Sequence, residues 1–174
     1  RKGIITAMRQ KGTSGQKDGM DAVLCRFYEN ENGKIILECA CANNPILIVK
    51  SDGGQGAFEQ QTTNDKQQTS SSLHEVKADH FPVGISFSSE NQPFTLQTYE
   101  LNKGDVVYCF SDGYEDQFGG QKEKKFKYKQ LKELLFSISG KPMEEQREIL
   151  EKTIEAWRGQ LEQGDDICII GVRI

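Results

Sequence analysis

"VVYCFSDGYEDQFGG", residues 106–120, is the stretch on which the fold turns. It opens with five consecutive apolar or aromatic residues, the pattern of a strand covered on both faces. It then breaks into Ser111-Asp112-Gly113 and a loop of acids and glycines. The same tripeptide occurs at Ser51-Asp52-Gly53, in "IVKSDGGQG", and there it leads into a polar Gly- and Gln-rich stretch with no partner acid. That copy reads as a turn. Asp112 differs because it closes a buried strand, while Asp165 and Asp166 directly precede another apolar strand, "ICIIGV". If those two strands are antiparallel neighbours, the three acids meet at one rim of a sheet.

Working outward, "DAVLCRFYE" (21–29), "KIILECACA" (34–42) and "NPILIVKSD" (44–52) are apolar or β-branched runs separated by "NENG" and "NN", which predicts an antiparallel meander. The Gly-, Gln-, Ser- and Thr-rich stretch that follows has almost nothing to bury, so a mobile loop is expected around 53–72. "FPVGISF" and "FTLQTYEL" read as two more strands, followed by a "KGD" turn and "VVYCF". Helical spacing then takes over. Leu131, Leu134, Leu135 and Ile138 share a face, with Gly140 as the expected C-terminal cap. A second helix is predicted from Pro142, with Leu150, Ile154, Trp157 and Leu161 on one stripe. Strands, a helical pair and a final strand indicate an α+β protein with helices packed on sheets.

At 174 residues the chain has the size of one domain, and we expect a single one over 1–174. A net charge of −4 gives no bulk attraction for nucleic acid. No apolar run reaches the ~20 residues of a membrane span, so a cytoplasmic protein without membrane contact is expected. Five cysteines, Cys25, Cys39, Cys41, Cys109 and Cys168, sit in strand-like stretches with no C-x-x-C pair, which predicts reduced, packed thiols.

The rim acids admit two readings. Carboxylates gathered at a sheet edge repel one another unless a cation neutralises them, and a hard divalent ion such as Mg²⁺ or Mn²⁺ does so with oxygen ligands. Acids followed by glycine are also common turn residues, and spacing alone favours that plainer reading.

The motifs taken together resemble a known family. "CFSDGYEDQFGG" with "KKF" after it, the terminal "DDICIIGVRI", "CANNP" (41–45), "FPVGI" (81–85) and "QKDGMDAVLC" (16–25) resemble, in the same order, the SpoIIE-like bacterial branch of metal-dependent serine/threonine protein phosphatases (PPM, type 2C). The resemblance runs from about Gln16 to Ile174. It implies a four-layer α-β-β-α sandwich of antiparallel sheets, and hydrolysis of phosphoserine or phosphothreonine by a water held between two Mn²⁺ or Mg²⁺ ions, with no side-chain nucleophile. Asp112 and Asp165 match metal ligands of the family. Asp166 matches a position that supports the loop, Gly113 is a backbone element, and His74 and His80 need no catalytic role. Relatives act on phosphorylated regulatory proteins such as anti-sigma-factor antagonists, under control of attached sensor domains, and similar partners are implied here.

One departure limits what the resemblance implies. The family's first motif, D-x-x-G-H-G-x-x-A, supplies an aspartate bridging both metals, and it occurs nowhere in these residues. The chain also starts at Arg1 rather than Met, so we expect an N-terminally truncated portion of the domain, inactive in isolation, with an uncovered sheet edge that favours self-association. A phosphatase-like module that binds a partner without hydrolysis is the alternative to an enzyme.

Overall fold

The computed structural model describes residues 19–51, 72–84 and 92–174. Among these, the elements run β1 (Ala22–Glu29), β2 (Ile35–Ala42), β3 (Ile46–Lys50), β4 (Ser72–Val76), β5 (Gln97–Leu101), β6 (Val106–Phe110), α1 (Gly113–Asp116), β7 (Phe118–Gly119), β8 (Lys124–Lys125), α2 (Tyr128–Ile138), α3 (Met143–Arg158) and β9 (Ile169–Arg173). The chain forms two compact units, Arg1–Ile46 with Glu75–Leu101 and Leu47–His74 with Asn102–Ile174. The α+β class with antiparallel sheets is as expected. Among the described residues no helix is long and apolar enough to cross a membrane.

In the first unit, β2 lies between β1 and β5, antiparallel to both. The β1–β2 turn closes as the "NENG" signal requires: Asn30 Oδ1 accepts from the N–H groups of Asn32 and Lys34 at 3.0 and 2.9 Å, and Gly33 takes φ +73°. The predicted three-strand meander is corrected at "CANNP". β3 does not continue beside β2 but joins the sheet ordered β4-β3-β6-β9. The chain leaves the first sheet at Asn43, which adopts φ +61° and donates through its side chain to Asp21 Oδ1 at 2.6 Å. Burial explains the choice of sheet. β3 is buried at four successive residues, Ile46–Val49, whereas β1 alternates and exposes Leu24.

"FPVGISF" also departs from expectation. Val83 makes only an isolated bridge to Met20, and residues 85–87 lie outside those described. Of "FTLQTYEL", only the last five residues are strand. The loop expected around 53–72 likewise falls outside the described residues, except that Ser72 opens β4, a strand the sequence reading missed.

The second unit's core is built on β6, with Val106, Tyr108 and Phe110 packed among Leu47, Val49, Tyr114, Phe126, Leu131 and Leu135. β9 lies at the end of the strand order, and Ile170 is 56% exposed, so "ICIIGV", although apolar at consecutive positions, forms a half-exposed edge strand rather than one covered on both faces. α2 buries Leu131, Leu135 and Ile138, and α3 lays Met143, Leu150, Ile154 and Trp157 against the core. Gly140 is not a left-handed cap. The carbonyls of Ser139 and Lys141, just past the end of α2, instead accept from the side chains of Gln146 and Arg173. Gln146, 2% exposed, also accepts from the Tyr108 hydroxyl at 2.6 Å, and burial pushes the Tyr108 phenol up to about 12.

"KGD" proves more than a turn. Asp105 is fully buried, and its carboxylate accepts from Lys50 Nζ, Ser51 N–H and Asn102 N–H, each at 2.9 Å. Both carboxylate oxygens are thereby engaged, and β3 is tied to the start of β6. Asp105→Ala leaves the Lys50 ammonium without its buried partner, so we expect a loss of about 3–5 kcal/mol of stability, read as a lowered urea midpoint at unchanged slope.

Candidate functional site

The site grows from the end of β6. Strands β6 and β9 pair antiparallel, with Phe110 opposite Ile169, and the pairing extends one residue further where Ser111 N–H donates to the Cys168 carbonyl at 2.9 Å. The condition set by the sequence is therefore met: the strands are antiparallel neighbours, and Asp112 and the Asp165-Asp166 pair occupy one rim.

Three devices lock the two loops together. The Ser111 hydroxyl donates to the Asp166 carbonyl at 2.8 Å and accepts from Cys168 N–H at 2.9 Å, using both of its capacities on one backbone segment. Gly113 lets the backbones close: a Cβ there would stand 2.4 Å from the Asp166 carbonyl oxygen and 2.8 Å from its carbon. Gln117, 1% exposed, donates through Nε2 to the carbonyls of Phe118 and Glu162, both at 3.0 Å, and its Oε1 faces Gly164 N–H at 3.4 Å. Gln117 thus anchors the segment that leads into Asp165.

Edge-on aromatic pairs, Tyr114–Phe126 and Phe126–Trp157 with centroids at 5.2 and 5.4 Å, brace the Asp112 side. The Tyr114 hydroxyl donates to the Leu150 carbonyl at 3.0 Å, and Trp157 Nε1 donates to the Gln117 carbonyl at 3.1 Å. Burial raises the Tyr114 phenol well above its ordinary value, which keeps it a donor.

On this frame the acids are exposed. Asp112 precedes α1, yet its side chain makes no capping hydrogen bond. Asp165 uses Oδ1 to accept from Asp166 N–H at 2.7 Å. Asp166 serves the loop through its backbone carbonyl, which holds Ser111 Oγ. The arrangement offers hard oxygen donors suited to a divalent cation. Among the described residues no three His, Cys, Asp or Glu side chains are grouped to hold a metal ion.

Of the other copy of the tripeptide, only Ser51 is described; its hydroxyl donates to the Lys103 carbonyl at 3.1 Å in the Asp105 turn. No disulfide joins the thiols of the described residues, and Cys168 is exposed rather than packed as expected. Ser111 and Gln117 were not singled out from the sequence. Serine before Asp-Gly was visible there, but nothing in periodicity marks a buried glutamine inside an acidic loop.

The sequence model of the stage II sporulation protein E (SpoIIE) family matches residues 15–174. The chain belongs to that family. Solved phosphatase domains share the fold of this SpoIIE-family chain. The PP2C domain of SiaA from Pseudomonas aeruginosa superposes with a TM-score of 0.58 at 22% identity, over 81% of this chain and 51% of that one. The phosphatase domain of the cell fate determinant SpoIIE from Bacillus subtilis does so with a TM-score of 0.51 at 14% identity, over 99% of this chain and 64% of that one. The chain thus spans between half and two thirds of the length of these two solved domains. No curated protein sequence matches it.

The lock makes two measurable demands. Gly113→Ala forces the Asp166 backbone away and should cost about 1–3 kcal/mol in a denaturant melt. Ser111→Ala removes the acceptor of Cys168 N–H, so hydrogen exchange at that amide should speed at least about 10-fold, the equivalent of one lost hydrogen bond; exchange at the wild-type rate would show that the hydroxyl does not hold the loop.

Proposed function

We propose that this chain carries part of the active rim of a metal-dependent protein phosphatase, in which Asp112 and Asp165 hold Mn²⁺ or Mg²⁺ and the substrate is a phosphoserine or phosphothreonine of a regulatory protein. The observation that supports this best is the threefold lock on the rim. A solvated turn does not need a hydroxyl, a glycine and a buried amide to fix two acid-bearing loops to each other, whereas a metal site needs its ligands held within fractions of an ångström.

The donors present fit such an ion as part of its shell. Both acids are exposed, Asp112 is not consumed by capping α1, and Asp165 keeps Oδ2 outside its bond to Asp166. A hard cation that prefers about six oxygens leaves positions for waters, phosphoryl oxygens and further acids. When bound, such metals lower the pKa of a water and neutralise phosphoryl charge. The chain's own residues have simpler tasks. Asp112 and Asp165 present negative oxygens, Ser111, Gly113 and Gln117 fix their spacing, and Asp166 holds its loop by its carbonyl. A phosphorylated anti-sigma-factor antagonist, acted on under the control of an attached sensor domain, is the regulatory setting we propose.

A second reading, a partner-binding module without hydrolysis, draws on the absence of a third grouped ligand among the described residues. Phosphate release from a phosphoserine peptide with Mn²⁺, assayed on the intact protein, separates the two. Hydrolysis should occur, stop with EDTA, and fall at least about 100-fold with Asp112→Ala or Asp165→Ala, the upper range of the loss seen when even an outer-shell partner of a metal site is removed. Peptide binding with no turnover favours the module, and turnover unaffected by either substitution contradicts the ligand assignment.

A further inference from the structure

Bulk charge hides a local reversal. Between Lys122 and Lys132 the chain places six lysines, at 122, 124, 125, 127, 129 and 132, against the single acid Glu123, although the whole chain carries −4. All but Lys132 are exposed. Lys125 pairs with Asp116 at 2.7 Å, Lys129 lies 3.9 Å from Glu133, and Lys132 stands over the Tyr128 ring. No ion pair joins Lys122, Lys124 or Lys127 to an acid among the described residues.

The run is built against the acid rim. Strand β8 pairs antiparallel with β7, Phe126 N–H donates to the Gln117 carbonyl at 3.0 Å, and Lys127 N–H donates to the Glu115 carbonyl at 2.7 Å. Lys127 is held there at φ +76°, a backbone region that a lysine seldom adopts, while its own carbonyl accepts from Gln130 and Leu131 at the start of α2. Glu115 lies one helical turn past Asp112, about 5 Å, and a strand spacing adds about 5 Å more. Lys127 therefore stands on the order of 10 Å from Asp112, which an extended peptide covers in about three residues, and Lys124 and Lys122 lie further along the hairpin.

We propose that this basic hairpin docks the acidic flank of a phosphorylated protein segment, selecting substrates with carboxylates about three or more residues from the phosphoamino acid. The proposal rests on the phosphatase reading of the rim for its geometry. An extended peptide fits better than nucleic acid because the adjoining acids Asp112, Asp116, Asp165 and Asp166 would repel a continuous phosphate backbone, whereas a peptide can place its single phosphate at the rim and its carboxylates on the lysines.

The test is fluorescence anisotropy with the 174-residue chain in EDTA, where no turnover competes. The probes are a phosphoserine peptide with three glutamates beginning three residues from the phosphate and the same peptide with glutamines in their place. The glutamate peptide should bind at least about 10-fold more tightly at low salt, as a few unscreened charge pairs allow. Replacing Lys122, Lys124 and Lys127 together by Gln should bring the two peptides within about 2-fold, while Lys152→Gln on α3 should preserve the preference. If the triple variant fails a circular-dichroism check of folding, Lys122→Gln and Lys124→Gln singly should each weaken the glutamate peptide about 2- to 3-fold. Equal affinities in the wild type, a preference that survives lysine replacement, or tighter lysine-dependent binding of a 12-nucleotide single-stranded DNA would each overturn the proposal. Because metal is absent from the assay, a lysine-dependent preference in a protein that never hydrolyses the peptide would sink the phosphatase reading alone. Metal-dependent hydrolysis with no glutamate preference would sink the docking surface alone.

Discussion

The Ser111 hydroxyl sits where a buried strand ends, and one short segment satisfies both its donor and its acceptor. The arrangement of the rim depends on this bridge. β6 ends at Phe110, two residues before Asp112, β9 begins at Ile169, three residues after Asp166, and the backbone ladder ends one step past the last strand pair, at the bond from Ser111 N–H to the Cys168 carbonyl. Beyond that point two loops carrying like charges would separate. The hydroxyl binds the Asp166 carbonyl and the Cys168 N–H beyond that ladder, the missing side chain at Gly113 lets the backbones stay close, and Gln117 reaches across to the approach of the second loop. The cost of holding carboxylates side by side is met by polar contacts made behind them, which leaves the acids facing solvent.

Those contacts draw their rigidity from the core. Tyr114, Phe126 and Trp157 interlock edge to face and, through the Tyr114 hydroxyl and the Trp157 indole, tie the Asp112 segment to α3 and to the backbone of Gln117. The helix stripe read from sequence therefore has a second consequence: Trp157 and Leu150 both fill the core and fix the loop above it. The basic hairpin is attached to the same frame, because Phe126 belongs to the aromatic set while its neighbours Lys125 and Lys127 are exposed.

Much of this was legible in the residues. Consecutive apolar positions marked β6, helical spacing marked α2 and α3, and the family motifs pointed to the SpoIIE-type phosphatase fold. Strand partnership was less accessible. Nothing local distinguishes a third strand of a meander from a strand that crosses to another sheet; the left-handed turn at Asn43 and the full burial of β3 make that choice, and both depend on tertiary packing. Asp105 looked like a turn acid because a sequence does not show that Lys50 and two backbone amides converge on it. Gln117 was invisible for the same reason, since its partners lie 45 and 47 residues away. Whether Asp112 and the Asp165-Asp166 pair share a rim was conditional on strand adjacency, and the β6–β9 register supplied the condition.

Diffraction at the manganese edge from crystals soaked in Mn²⁺ tests the central claim most directly. Anomalous density is expected at the rim with carboxylate oxygens of both Asp112 and Asp165 about 2 Å away, the distance of a small hard cation from its oxygen ligands. Ordered carboxylates with no anomalous peak between them, or manganese bound only elsewhere on the chain, would contradict it.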